Sequence, residues 1–229
     1  MTQKNKLDFS FIMAASVHDM KNSLSMLLHS LDEVNHEIAE LDLPIAQRMA
    51  TLQYEAARVN NDLVQLLSLY KLDANMLTAD IDEHFLLDFL EEQVARYHPL
   101  FAARNMRCEV DCNERLTGYF DNDLVSGVVN NILANAIRYS RSQIRVSART
   151  EEDGLYITIE DDGQGFPAKM VEIPEQLSTE VDFESGSTNL GLYFAHRIAQ
   201  LHMQKGKTGK ISLRNGGALN GGVFEMYLP

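Results

Sequence analysis

Two rows of apolar residues, one on each side of Pro44, constrain the fold of this chain more than any other feature. Within each row the apolar positions recur in alternating steps of four and three, which is the spacing of helices that pack at coiled-coil angles. The rows are Met13, Val17, Met20, Leu24, Leu27, Leu31, Val34 and Ile38, then Ile45, Met49, Leu52, Ala56, Val59, Leu63, Leu66 and Tyr70. No glycine precedes Gly118, and Pro44 is the first proline. The sequence therefore predicts two long helices joined by a turn next to Pro44.

A hairpin of two such helices leaves apolar surface exposed on both of them. Pairing of two hairpins into a four-helix bundle buries that surface, so we expect a homodimer. The alternative is a monomeric helical arm whose apolar side packs against the rest of the chain.

The pattern changes near residue 76. Alternating apolar residues predict strands at 144–148, 155–159 and 211–213, and helices are expected over 86–103, 122–139 and 190–202. Strands and helices mixed with glycine-rich loops predict a two-layer α/β sandwich. The predicted fold class is therefore α + α/β, with a helical domain at 1–75 and an α/β domain at 76–229.

Charge and composition exclude several classes of protein. The net charge is −13, and a chain this acidic lacks the basic surface that nucleic acids and anionic lipids require. No apolar run approaches eighteen residues and the N-terminus lacks a signal-peptide core, so we expect a cytoplasmic chain without direct membrane insertion. The two cysteines, Cys108 and Cys112, match no zinc pattern and are expected to be reduced thiols.

The segment from Ser16 to Leu24 contains the first group of reactive side chains. His18 follows the row residue Val17 by one position, which places it on the flank of the predicted bundle, facing solvent. Asp19 can fix the tautomer of the imidazole, and Asn22 lies one turn further along the same face. By itself, a surface His beside an Asp is more often an ordinary polar pair.

Three further segments carry polar or glycine-rich patterns. Asn131 and Asn135 lie one helical turn apart with Arg138 beyond them, and amide oxygens suit Mg²⁺ that already holds phosphates. Asp161 ends a predicted strand, and Gly163 and Gly165 allow a tight loop after it. A capping segment, Ser187 to Leu192, leads into a helix whose first amides favour anions. Each pattern also has a purely structural interpretation. The asparagines can form a solvated helix face, the Asp161 segment a polar turn, and the segment from Ser187 an ordinary helix cap.

In their order and separation, these segments resemble the motifs of bacterial two-component sensor histidine kinases. His18-Asp19 with Asn22 resembles the phosphoacceptor box, Asn131 to Asn135 the asparagine box, Asp161 to Gly165 the first glycine box and Ser187 to Leu192 the second. The ending, Val223 to Pro229, is similar to the last strand of the family. The resemblance covers roughly residues 8 to 229. It implies a dimerisation and phosphotransfer hairpin joined to a Bergerat-type ATP-binding domain of the histidine kinase and gyrase type.

The resemblance also implies roles for individual residues. His18 would attack the γ-phosphate of ATP, and Asp19 would orient and deprotonate the His18 ring. Asn22 would assist dephosphorylation of the response regulator. Asn135 would hold Mg²⁺. The remaining residues implied at the nucleotide site are Asn131 for the metal or its water, Arg138 for phosphate, Asp161 for the adenine amino group, Gly163, Gly165 and Gly191 for backbone approach, and Tyr139, Leu190 and Leu192.

The implied activity is an ATP-dependent protein-histidine kinase that passes its phosphoryl group to an aspartate of a response regulator receiver domain. Two departures from the family pattern keep an alternative open. Asn189 stands where a glycine is usual, and Phe183 is the only candidate for a phenylalanine box. The alternative is a histidine phosphotransfer or kinase-modulating protein with a degenerate ATPase-like domain. Residues 1–7 are too few for an input domain, so we expect either a separate sensor protein or an excised piece of a longer chain.

Overall fold

The structure is a computed structural model that describes residues 9–38, 43–172 and 190–229. It divides into two compact units, one ending at Leu77 and the other running from Thr78 to Pro229.

The first unit is a helical hairpin. Helix α1 spans Phe9–Ile38 and helix α2 spans Leu43–Asp73, as the two apolar rows predict. Pro44 lies in the first turn of α2, where its missing N–H leaves no hydrogen bond unmade. The side chains of Val17, Leu69 and Leu72 are buried in this unit.

Six of the thirteen row residues whose burial the structure describes are exposed in this hairpin. Three residues of α1 and three of α2 are each seven positions apart and are all at least 36% exposed: Met20, Leu27 and Val34, then Leu52, Val59 and Leu66. Since residues seven apart lie on one side of a helix, each helix carries an apolar stripe that its partner in the hairpin does not cover.

The second unit interleaves strands and helices. Its strands are β1 (Asp82–Phe85), β2 (Arg107–Asp111), β3 (Thr117–Phe120), β4 (Gln143–Glu151), β5 (Gly154–Asp161), β6 (Met203–Gln204), β7 (Lys207–Thr208), β8 (Lys210–Gly216) and β9 (Gly221–Leu228). Its helices are α3 (Leu86–Ala95), α4 (His98–Arg104), α5 (Asn122–Tyr139), α6 (Ala168–Glu172) and α7 (Leu190–Leu201).

Five strands form the main sheet, in the order β2-β4-β5-β9-β8. The β2–β4 pair is parallel and the other pairs are antiparallel. Strands β1 and β3 form a separate antiparallel pair, as do β6 and β7.

The helices α3, α5 and α7 pack on the main sheet and enclose the core of this unit. Alternate residues of the sheet are buried there, including Ile144, Val146, Ile157 and Ile159. The two-layer α/β sandwich that the sequence predicts is confirmed. The four-helix dimeric bundle stays a prediction, because a single chain is described.

One predicted helix is wrong in its extent. The helix expected over 86–103 is two helices, because α3 ends at Ala95 and α4 begins at His98. Pro99 lies in the first turn of α4, and a proline in the interior of a longer helix would remove a hydrogen bond and clash with the preceding turn. The short strands β1, β2 and β3 were not predicted.

Within the described residues, no helix combines the length and apolar character needed to cross a membrane.

Candidate functional site

The first cluster of polar side chains lies on the solvent-exposed side of α1. His18 has 57% of its side chain accessible, and its ring Nδ1 lies 3.8 Å from Asp19 Oδ1. The same Nδ1 lies 3.2 Å from Asn22 Nδ2. Both neighbours approach Nδ1, so neither of these contacts occupies Nε2.

The amide of Asn22 decides which ring nitrogen is basic. When Nδ2 faces the ring, it donates to Nδ1 and a neutral imidazole holds its proton on Nε2. A half-turn of the amide brings Oδ1 to the same position, so that Nδ1–H donates and Nε2 carries the free lone pair. The negative charge of Asp19 beside Nδ1 favours this second arrangement. The cluster can therefore present a nucleophilic Nε2 to solvent.

An apolar groove of about 640 Å³ lies beside this cluster. It is lined by Asp19, Met20, Ser23, Leu24, Leu27, Val59 and Leu63. Because Met20, Leu27 and Val59 belong to the exposed stripes, the groove is part of the uncovered apolar surface of the hairpin.

In the second unit, α5 carries the two asparagines of the predicted site. Asn131 is only 9% exposed, and its Nδ2 makes no hydrogen bond with any part of the chain that the structure describes. A Cβ at Gly191 would lie 2.2 Å from that Nδ2. The Asn131 amide therefore packs on the backbone of the first turn of α7, and only glycine fits there.

The rest of the α5 set lies at the surface. Asn135 is exposed one turn after Asn131, and Arg138 and Tyr139 are exposed at the end of the helix. The Arg138 guanidinium lies 5.3 Å from the centre of the Tyr139 ring. An amide and a cation thus follow the buried Asn131 along α5 and remain available to a ligand.

Asp161, at the end of β5, is held by two backbone amides. Its Oδ1 accepts from Gly163 N at 2.7 Å and from Gly222 N at 3.3 Å. Its Oδ2 accepts no hydrogen bond from the residues that the structure covers. The carboxylate is therefore fixed in orientation and keeps one oxygen for an amino group of a ligand.

The loop after Asp161 contacts the end of α5. A Cβ at Gly163 would lie 2.4 Å from the carbonyl oxygen of Tyr139. The structure thus brings Asp161, Gly163 and Tyr139 together, as it does Asn131 and Gly191.

Asp162 has a structural role beside this site. Its carboxylate accepts from Arg141 N at 2.7 Å, from Ser142 N at 3.0 Å and from Ser142 Oγ at 2.8 Å. Burial acts to raise the pKa of Asp162, but hydrogen bonds from Ser142, Gln143 and Arg141 outweigh it and hold that pKa below its usual value. Asp162 therefore ties the segment after α5 to the end of β5.

Sequence reasoning missed Asn215, which holds the same loop from β8. Its Oδ1 accepts from Phe166 N at 2.7 Å, and its Nδ2 donates to Phe166 O at 2.8 Å. Gly165, immediately before Phe166, has φ +79°. No local pattern marks Asn215, because its partner lies 49 residues earlier in the chain.

A second missed residue is the buried His202 at the end of α7. Its Nδ1 donates to Ile198 O at 2.9 Å and its Nε2 accepts from Asp121 N at 3.1 Å. Burial lowers the pKa of His202, so the neutral ring that these two bonds require is favoured. Asp121 in turn caps α5 by accepting from Leu124 N at 2.9 Å. The start of α5 and the end of α7 are thereby joined.

The predicted second glycine box is described only in part. Leu190 and Gly191 open α7, and Leu192 is buried against the core. Ser187, Thr188 and Asn189, together with Phe183, lie outside the described residues. The first turn of α7 presents backbone amides of the kind that bind anions.

Most of the second unit matches a known protein family. Residues 120–229 match the family described as histidine kinase-, DNA gyrase B- and HSP90-like ATPase. The match begins at the end of β3 and includes the predicted site residues of α5, β5 and α7.

Curated relatives extend the similarity into the hairpin. The chain is 28% identical over 196 residues to the alginate biosynthesis sensor protein KinB of Pseudomonas aeruginosa, covering 82% of the chain and 32% of KinB. It is 30% identical over 195 residues to the sensor protein QseC of Escherichia coli, covering 82% of the chain and 41% of QseC. The chain therefore spans between about a third and two fifths of the length of these relatives.

Solved structures share the fold. The Acinetobacter baumannii histidine kinase AdeS superposes with a TM-score of 0.60 at 18% identity, covering 92% of this chain and 96% of that one. Full-length ShkA in complex with AMPPNP superposes with a TM-score of 0.64 at 16% identity, covering 94% of this chain and 45% of that one.

Proposed function

We propose that this chain, which is homologous to two-component sensor histidine kinases and carries their ATPase domain at residues 120–229, is an ATP-dependent protein-histidine kinase that phosphorylates His18. The observation that carries the proposal is the pairing of an exposed imidazole, approached at Nδ1 by Asp19 and Asn22, with an ATPase domain in one chain.

The residues of the second unit fit a nucleotide. Asp161 keeps Oδ2 for the adenine amino group, while its Oδ1 stays bound to Gly163 and Gly222. Gly163 and Gly191 lie where a Cβ would collide with Tyr139 O and the Asn131 amide, so glycine lets the Asp161 loop and the first turn of α7 pack closely against α5 beside the proposed site. The structure of ShkA was solved with AMPPNP, which supports the proposal that the shared fold binds ATP here.

The residues of α5 fit the phosphate end of ATP and its metal. The buried Asn131 has an amide nitrogen without a partner among the described residues, and Asn135 exposes an amide oxygen one turn later. Mg²⁺ held by Asn135 would withdraw charge from the phosphate oxygens. Arg138 adds a cation that can contact phosphate directly, and Tyr139 holds the guanidinium at its ring face.

The reaction is a phosphoryl transfer that requires little covalent chemistry from the protein. Nε2 of His18 attacks the γ-phosphorus, the N–P bond forms, and ADP leaves with the electron pair of the broken P–O bond. Asp19 stabilises the proton on Nδ1 and accepts it as the ring loses its charge. In a second step, a carboxylate of a receiver domain takes the phosphoryl group and His18 Nε2 recovers its lone pair. In a separate hydrolytic reaction, Asn22 would orient the water that attacks the acyl phosphate of the receiver, which releases inorganic phosphate and restores the carboxylate.

The proposal includes a homodimer, a response regulator as partner and a cytoplasmic location. Cys108 and Cys112 are free thiols, as reduced cytoplasmic cysteines are.

The test is labelling of the chain with ATP and Mg²⁺. We expect label from [γ-³²P]ATP that is lost in acid and stable in base, and none from [α-³²P]ATP or with EDTA. If the label is acid-stable, the acceptor is not histidine. If no label forms although a phosphorylated receiver passes its phosphoryl group to His18, the phosphotransfer alternative replaces the kinase.

A charge in the apolar stripe of the hairpin is expected to break the dimer. Leu27 is 50% exposed in the single chain and would be buried between two hairpins, where an unpaired carboxylate costs several kcal/mol, on the order of a 100-fold loss of dimer affinity or more. Light scattering should give twice the chain mass of 25.8 kDa for the wild type and that mass for Leu27→Glu.

The matched control is Met26→Glu, since Met26 neighbours Leu27 but lies outside the rows and is 67% exposed. Met26→Glu should remain dimeric. A wild-type mass of one chain at micromolar concentration, or a dimeric Leu27→Glu, would contradict the bundle.

A further inference from the structure

We infer that Asn215 is a positioning residue that sets the base end of the nucleotide site and its preference for adenine. This inference rests on the proposed function, because it concerns how the ATP site is held in shape. The side-chain amide of Asn215 acts on the loop after Asp161 through its two hydrogen bonds to the backbone of Phe166.

The two hydrogen bonds form a closed pair that few side chains can reproduce. The Phe166 N–H and C=O belong to one residue, and the Asn215 amide meets both at 2.7 and 2.8 Å. This is the pairing that a neighbouring strand residue would make, supplied here by a side chain. Asp can accept from the N–H but repels the carbonyl, and Leu makes neither bond.

The loop conformation that Asn215 holds is an unusual one. Gly165 has φ +79°, a region that L residues rarely adopt. A Cβ at Gly165 would lie 2.5 Å from Asn215 Oδ1, so the amide and the loop backbone are in close contact. Without the amide, the loop loses the contact that selects this turn from the many that glycine allows.

The effect of Asn215 reaches the base-recognition carboxylate through β9. Asn215 pairs with Gly222 in the β8–β9 register, and Gly222 N donates to Asp161 Oδ1. A Cβ at Gly222 would lie 3.1 Å from the ring of Phe166 and 2.8 Å from Asp161 Oδ2. The Phe166 ring and the free oxygen of Asp161 therefore flank the same glycine. By fixing Phe166, Asn215 fixes the apolar surface beside the atom that reads the base.

The experiment compares Asn215→Asp, Asn215→Leu and Asn113→Leu in the full chain. Asn113 is a matched control, since its exposed side chain also bonds backbone, accepting from Arg115 N at 2.9 Å in the loop between β2 and β3. Calorimetry measures Kd for ATP and GTP, and labelling measures KM and kcat. Melting curves record the stability of each variant.

We expect Asn215→Leu to raise Kd and KM for ATP about tenfold, with Asn215→Asp intermediate, because two exposed hydrogen bonds are lost in the first and one in the second. The ratio of GTP to ATP dissociation constants should fall, while kcat changes less than about twofold since the phosphate end is untouched. Asn113→Leu should leave the ratio and both constants unchanged.

The possible failures separate cleanly. If the wild type binds no ATP, the proposed function is wrong. If the wild type binds ATP and the Asn215 variants keep its affinity and base preference, or lose affinity only in proportion to a lowered melting temperature, the inference about Asn215 is wrong.

Discussion

Replacing His18 by Gln is expected to abolish phosphorylation of the chain while ATP binding stays within about twofold of the wild type. Glutamine keeps a polar side chain of similar size on the exposed face of α1 but has no nitrogen lone pair that can attack phosphorus. The residues proposed to bind ATP belong to the second unit, and His18 belongs to the first. Loss of the nucleophile should therefore remove the acid-labile label and leave the heat of ATP binding in calorimetry unchanged.

The control is the same exchange at His29, another exposed histidine of α1. His29 has neither an Asp in the next position nor an Asn four residues on. His29→Gln should keep full labelling. Label that persists in His18→Gln, or that disappears in His29→Gln, would move the acceptor away from His18.

The sequence predicts the elements whose signals are local and repeated. The apolar rows around Pro44 predict both helices of the hairpin, and the alternation around Ile144 and Ile157 predicts β4 and β5, two of the three interior strands of the sheet. Such patterns are reliable because a long periodic element repeats the same buried face over many residues. Four-residue strands such as β1 and β3 contain too few alternations to stand out, and the break before His98 depends on one proline.

The residues of the candidate site also fall into those that the sequence predicts and those that it does not. The Asp161 loop and the α5 asparagines are readable because their residues are close in sequence. Asn215 and His202 cannot be recognised in this way, because Asn215 bonds backbone 49 residues away and His202 bonds backbone 81 residues away. Folding alone brings the Asn215 amide to Phe166 and the His202 ring to the start of α5. Residues that hold a site in shape are therefore harder to find from sequence than residues that touch a ligand.

Asp161→Asn is expected to weaken ATP binding by about 100-fold or more. The exchange keeps an oxygen for Gly163 N and Gly222 N, so the loop should stay folded. It replaces the free oxygen by an NH₂ group, and two donors then face each other where the adenine amino group would bind. Calorimetry with ATP measures the loss. An affinity close to that of the wild type would show that Asp161 does not read the base.

The neighbouring exchange Asp162→Asn is the matched control, because it makes the same chemical change one residue away. Asp162 accepts from three donors, Arg141 N, Ser142 N and Ser142 Oγ, so the variant should lose stability at neutral pH and keep its ATP affinity within about threefold. The pKa of Asp162 is lower in the folded chain than its usual value of 3.8. The stabilisation that it provides is therefore complete above pH 3.8 and is lost as the pH falls through the folded pKa.

Urea unfolding at pH 7 and near pH 3 separates the two carboxylates. The difference in unfolding free energy between wild type and Asp162→Asn should shrink at the lower pH. Protonation of Asp162 then weakens the same hydrogen bonds in the wild type that the variant has already lost. Equal loss of ATP binding in both variants would mean that Asp161→Asn acts by disturbing the loop, since Asp162 supports the same loop without an oxygen left for the base. Loss of ATP affinity in Asp161→Asn alone would assign base recognition to Asp161 Oδ2.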